Sequence, residues 1–206
     1  HLSMDPERLR ELKEQLEQAR RSLDTFTKSQ PNHPKVTEAL VQLARLLVER
    51  GHLLAVQSRD EKDLAEQKRK LTQARESFAN ARAAYDASLA KLKTNFEAFP
   101  KFLEERDPRF AQRNSAHNAL MDATLQRALV DYEDAQTYEP KSEQRQELLT
   151  KAMAAFEETY KRYRTQLSGL YARMWQGKCY EENGNLGEAM GVYNELMDHT
   201  APELRG

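Results

Sequence analysis

The stretch Gly177-Lys178-Cys179-Tyr180-Glu181-Glu182-Asn183-Gly184-Asn185-Leu186-Gly187-Glu188-Ala189-Met190-Gly191-Val192-Tyr193 decides the fold of this chain. Its small and aromatic residues fall at the intervals that two antiparallel helices need, so it reads as helix, tight turn, helix. Working outward, six of the seven glycines lie at or after Gly169, which leaves only Gly51 in the first 168 residues. The seven prolines stand between candidate helices rather than inside them. Glycine and proline both oppose a helix interior, so their distribution predicts long helices upstream.

The apolar periodicity delimits those helices. After Pro140, Leu148, Leu149, Ala152, Phe156, Tyr160 and Tyr163 define a helix over 142–166. Before it, Phe110, His117, Met121, Leu125, Leu129 and Tyr132 define one over 108–138, separated from the next by Pro100 and Asp107-Pro108 around Phe102 and Leu103. Leu64, Leu71, Phe78, Tyr85, Leu92 and Phe99 then recur at seven-residue steps, with Asp60 as the expected cap. A helix over 61–98 would be roughly 57 Å long. Val36, Leu40, Leu43, Leu47 and Leu54, widened by Ala44 and Leu46, make a stripe over 34–58. Asp5-Pro6 opens a first helix, whose Leu9, Leu12, Leu16, Ala19, Leu23 and Phe26 run to a stop before Pro31.

One structural unit recurs. Leu71-Thr72, Ala74, Phe78 and Tyr85 match Leu149-Thr150, Ala152, Phe156 and Tyr163 at a displacement of 78 residues. Ala189 and Tyr193 repeat Ala152 and Phe156 a further 37 residues on. An alanine permits close helix crossing, and a ring one turn later fills the adjoining groove. The expected pairs are 34–58 with 61–98, 108–138 with 142–166, and 168–184 with 186–199.

Gly177, Tyr180, Gly184, Ala189 and Tyr193 resemble the tetratricopeptide-repeat (TPR) pattern, and Ala19, Leu23, Phe26 and Pro31 have the intervals of a second TPR helix with its terminating proline. The likeness is fullest over 169–202, partial over 115–166 and slight over 5–100, where the helices are stretched. Arg173 and Gln176 stand where the family has tryptophan and leucine, Trp175 is displaced by two residues, and Pro202 lies one residue late. The resemblance implies an all-α, TPR-like α-solenoid of antiparallel helix pairs with long central helices. Its divisions are an N-terminal helix (1–33), an elongated hairpin (34–106), a second pair (107–167) and a TPR hairpin with the C-terminal end (168–206), continued by further repeats in the native protein. It also implies a superhelical groove, walled by the first helix of each pair, that accepts a peptide or partner helix. Tyr171, Met174, Lys178 and Glu181 are the candidate groove residues. Ala74, Phe78, Ala152, Phe156, Gly177, Tyr180, Gly184, Ala189 and Tyr193 are the repeat-packing set. The groove lacks the repeated lysine and asparagine set with which some family members hold a C-terminal carboxylate.

The leading expectation is therefore a noncatalytic protein–protein interaction scaffold. A second reading takes the seven-residue series as a coiled-coil spacer or self-association module, with a homo-oligomer as its corollary. In that series the complementary positions Gln67, Ala74, Ala81, Ser88 and Asn95 are small or polar, which favours intramolecular packing over a zipper seam. A third reading, a helical metal-binding enzyme, rests on Glu49-x2-His52, but a bundle site needs a second such motif and none occurs. His33, His117 and His199 have no ligand spacing among them. Cys179, the lone cysteine, reads as a small buried side chain rather than a nucleophile beside Lys178. No glycine-rich phosphate loop is present, so no cofactor, metal or catalytic residue is expected. Lys and Arg (32) balance Asp and Glu (33), which argues against nucleic-acid binding, and Lys68-Arg69-Lys70 reads as a solvated face. No apolar run approaches the ~20 residues of a membrane span and no signal segment opens the chain, so membrane insertion is not expected. The chain begins at His1 without an initiator methionine, as a processed or cloned fragment would, and its compartment stays open.

Overall fold

The structure, a computed structural model, describes residues 6–198, with side chains from residue 11 onward apart from Leu12 and Lys13. The expected Asp5 cap, the Leu9 and Leu12 side chains, His199, Pro202 and the continuation past Thr200 lie outside the described residues. Seven helices account for the described fold: α1 (Pro6–Ser29), α2 (Val36–Arg59), α3 (Leu64–Glu97), α4 (Phe110–Ala135), α5 (Glu143–Arg162), α6 (Leu167–Glu182) and α7 (Leu186–Met197). No strand occurs among the described residues, so the chain is all-α as the periodicity predicts. Two compact units divide it, one up to Leu92 and one from Lys93.

In the first unit, α2 turns Val36, Ala39, Leu43, Ala44, Leu47 and Gly51 inward. α3 answers with Ala74, Ser77, Phe78, Ala81, Ala84 and Tyr85. Phe78 is fully enclosed, and its ring lies where a β-carbon on Gly51 would come within 2.7 Å, so only glycine admits it. Arg50 donates to Ser77 Oγ at 2.5 Å and lies 3.5 Å from the Glu17 carboxylate, which ties all three helices together. Two local expectations are corrected. Asp60 closes α2 rather than opening α3. Asp63 takes the opening role, its carboxylate accepting from the Ala65 amide at 2.8 Å. The loop between them is held by Lys70 on Glu61 (2.6 Å) and by Gln67 on the Ser58 carbonyl (3.2 Å), so α3 starts three residues later than Asp60 would dictate. The seven-residue series is also split: Phe78, Tyr85 and Leu92 are buried, Leu71 is half-buried and Leu64 is 70% exposed.

The second unit is built around Leu125, Tyr132, Leu149, Ala152, Phe156, Tyr160, Leu170 and Cys179. α4 ends at Ala135 rather than Tyr138, and the chain bends through Gln136–Tyr138 on successive short turns. Pro140 then sets a tight turn in which Lys141 takes a positive φ of 68° and the Ser142 amide donates to the Glu139 carbonyl. Ser142 caps α5 by accepting from the Arg145 amide at 3.3 Å. α6 closes on Gly184 at φ 83°, with the Asn185 amide on the Tyr180 carbonyl and the Gly184 amide on the Glu181 carbonyl. That pair of bonds is a Schellman cap, and its left-handed residue favours glycine. The tight turn read from the sequence is thus this cap.

Candidate functional site

Residues spaced three or four apart share one face of a helix. On α6 this rule gathers Leu167, Tyr171, Met174, Lys178 and Glu181 on one side, while Leu170, Gly177 and Cys179 turn inward. Leu167, Tyr171 and Met174 remain 48%, 47% and 38% exposed. The structure brings the candidate groove residues together on this face. Lys178 Nζ lies 3.0 Å from Glu181, and the Tyr193 hydroxyl donates to the same carboxylate at 3.0 Å. Lys178, with Tyr193 second, holds the Glu181 carboxyl below its ordinary range. Burial, followed by Glu181, pushes the Tyr193 hydroxyl up to about 12. The face therefore combines exposed apolar side chains with a neutralised polar end.

Two acid-centred clamps hold α6 beneath this face. Glu182 accepts from the Tyr132 hydroxyl (2.5 Å), Gln136 Nε2 (2.8 Å) and Arg145 (2.7 Å), joining α4, α5 and α6. Glu195 accepts from the Tyr160 hydroxyl (2.6 Å) and from Arg173, joining α5, α6 and α7. Arg173 also donates to Gln176 at 2.7 Å and lies over the Tyr160 ring. Each clamp takes a tyrosine, an arginine and a glutamate from three successive helices, and the second repeats the first one helix further along the chain. Charge-assisted bonds of this kind are short and directional, so they fix the stagger of the helices as well as their contact. Sequence reasoning missed these residues, treating Arg173 only as a departure from a tryptophan. The available signal was the Tyr-x12-Arg spacing, present at Tyr132/Arg145 and again at Tyr160/Arg173.

The repeat-packing residues take three kinds of position. Ala74 and Phe78 in the first unit, and Ala152 and Phe156 in the second, are completely buried. Gly177 and Ala189 are buried between α6 and α7, where a β-carbon on Gly177 would come within 2.7 Å of the Tyr193 ring. That contact repeats the one between Gly51 and Phe78. Tyr180 and Tyr193 are half-buried, and Gly184 is exposed at the cap. Trp175 packs its ring at a tilt of 58° against that of Tyr132, centroids 4.9 Å apart.

The residues weighed for chemistry lie in ordinary packing environments. Cys179 is buried, and burial, with Glu182 second, pushes its thiol up to about 12, so it carries a proton at neutral pH. His52 packs its ring on Phe78 at 5.7 Å, while Glu49 is exposed. His117 stacks on Phe96 at 4.8 Å, and burial lowers its pKa, aided by Arg113. His33 packs edge-on to Phe26. Among the described residues, no three His, Cys, Asp or Glu side chains gather as a metal-ligand set, and no helix is long and apolar enough to cross a membrane. A concavity of about 430 Å³ in the first unit has Leu40, Leu43 and Leu47 on its floor, with Arg20 and Lys28 on its rim. Both rim cations are already paired, with Glu17 and Asp24 respectively.

Comparison with protein-family models, with curated proteins and with solved structures gives no match. The functional reading rests on the residues themselves.

Proposed function

We propose that this chain is a noncatalytic protein–protein interaction scaffold, a divergent TPR-like solenoid of antiparallel helix pairs that receives a peptide or helix against the exposed side of α6. The observation that carries the reading is the row Leu167, Tyr171 and Met174, left open on a helix that is otherwise clamped on three sides. Large apolar side chains held on a rigid element are the usual anchors of a binding surface. Antiparallel pairing is supported by the contacts between α2 and α3: Ser58 meets Gln67, whereas Arg50, eight residues earlier, meets Ser77. One helix advances as the other retreats. The enclosure of Phe78 and Tyr85 within the first unit supports this reading over a coiled-coil seam, which needs those rings at a surface.

The test is affinity capture from native lysate with the wild-type chain and a Tyr171→Ala/Lys178→Glu variant, after circular dichroism has established equal helicity. A partner retained by the wild type and lost by the variant is the expected result. Equal recovery by both proteins, or no partner for either, overturns the assignment of this face.

A further inference from the structure

The helices of this chain are held unequally. α6 is tied to α4, α5 and α7 through Glu182 and Glu195. In α1 none of the described side chains is buried: the apolar row Leu16, Leu23 and Phe26 is half-buried and Ala19 is exposed. The neighbouring α2, by contrast, buries Leu43, Ala44 and Leu47. The concavity of about 430 Å³ in the first unit runs along the flank of α1. Arg20, Asp24 and Lys28 of α1 line one part of it and Asn80 and Ala83 of α3 another, with the three leucines of α2 as floor. α1 and α3 therefore stand apart over this stretch. A helix with few buried apolar contacts opens at a lower free energy than the core beside it.

The surface beneath α1 is prepared for an acidic group. Arg50 of α2 is anchored from the α3 side by its bond to Ser77 Oγ at 2.5 Å, and it faces the Glu17 carboxylate at 3.5 Å. Glu17 is engaged more closely within its own helix, by Arg20 at 2.6 Å. Arg50 is thus a fixed cation beside an apolar strip, and the acid opposite it is loosely held. The loop after α1 is anchored separately, with Lys91 Nζ donating to the Pro31 carbonyl at 3.2 Å, so α1 can leave without it.

We infer that α2 carries a helix-docking slot that α1 fills in cis, and that an amphipathic helix of another protein displaces α1 from it. The helix now in place defines the occupant. It carries apolar residues at the spacing of Leu16, Leu23 and Phe26, which share one helical face, and a glutamate at the position of Glu17 to meet Arg50. Tethering keeps α1 at a high effective concentration, so the slot stays closed until a helix that binds better than α1 arrives. A second copy of this chain is the poorer occupant, because its α1 is the same helix without the tether. α1 is in this sense an autoinhibitory strap, and the slot is independent of the α6 face.

Hydrogen exchange of the full wild-type chain gives the first test. Amides of α1 are expected to exchange at least about a hundredfold faster than those around Leu43 in α2 and Phe78 in α3, and equal protection overturns the inference. The second test is fluorescence anisotropy with a labelled synthetic peptide of residues 11–29 of this chain. Leu23→Asp/Phe26→Asp in the full chain loosens the cis helix at half-buried positions and should tighten peptide binding at least about tenfold, because the open fraction rises. Arg50→Glu in that background should weaken the peptide about two- to fivefold, the size of a partly exposed ion pair, and a Glu17→Arg peptide should recover the loss. The Tyr171→Ala/Lys178→Glu variant should leave every readout unchanged, so failure of the α6 assignment and failure of this one are separable. No binding, equal binding by the wild-type and loosened chains, or no recovery on charge reversal overturns the inference. So does a wild-type dimer in light scattering that Leu23→Asp/Phe26→Asp dissociates, because α1 is then exchanged between copies.

Discussion

Replacing Glu182 by alanine deletes the acceptor shared by Tyr132, Gln136 and Arg145 and leaves the Arg145 guanidinium, only 14% exposed, without its counter-ion. Removing one partner of a buried ion pair costs about 3–5 kcal/mol. Arg145 retains bonds to the Ala135 and Tyr138 carbonyls and to Gln136, so the lower half of that range, about 3–4 kcal/mol, is expected here. Glu182→Gln should cost less, about 1–2 kcal/mol, because its carbonyl oxygen can keep Arg145 and Gln136 while its amide donates to the Tyr132 oxygen. Glu181→Ala, one residue away on the exposed face, is the control and should leave the transition in place. Urea unfolding followed by circular dichroism reads all three. With a slope of about 2 kcal/mol per molar urea, Glu182→Ala should lower the midpoint by about 1.5–2 M. A Glu182→Ala midpoint indistinguishable from that of Glu181→Ala would show that the three-helix clamp does not stabilise the unit, and the reasoning fails.

Two further outcomes follow from the second unit. Tyr132, Tyr160, Tyr193 and Cys179 all have raised pKa values in the folded chain, chiefly through burial. The unfolded chain releases these protons from about 9 for cysteine and about 10 for tyrosine, whereas folded Cys179 and Tyr193 hold theirs to about 12. Stability is therefore complete below pH 9 and falls as the pH climbs from 9 towards 12. In an alkaline titration the last tyrosinates are expected to appear together with cooperative unfolding, and complete tyrosine ionisation near 10 with the fold intact would contradict it. Lys141→Gly should raise the melting temperature by a few degrees, a gain of about 0.5–1 kcal/mol, because it relieves the positive φ of 68° at an exposed position. An equal gain from Lys141→Ala would show that φ is not the cause.

The sequence by itself determined the helices and their breaks. Proline positions, apolar stripes and the glycine of the Schellman cap act through backbone torsions within a few residues, so they are legible without tertiary information. The alanine-x3-aromatic interval was legible for the same reason, and Ala74, Phe78, Ala152 and Phe156 all lie in the core. Tertiary structure decided what covers what. Leu64 and Phe78 occupy equivalent steps of one series, yet the first is exposed and the second enclosed, because α2 brings Gly51 over Phe78 while Leu64 stands at the open end of α3. It also decided that Asp60 closes a helix and Asp63 opens the next. The clamps on Glu182 and Glu195 each join side chains 22 to 50 residues apart on three helices, and the repeated Tyr-x12-Arg spacing marks two members of each clamp without naming the acid they meet. A helix face announces itself through repetition along one segment, whereas a buried acid acquires its partners only when separate segments have docked.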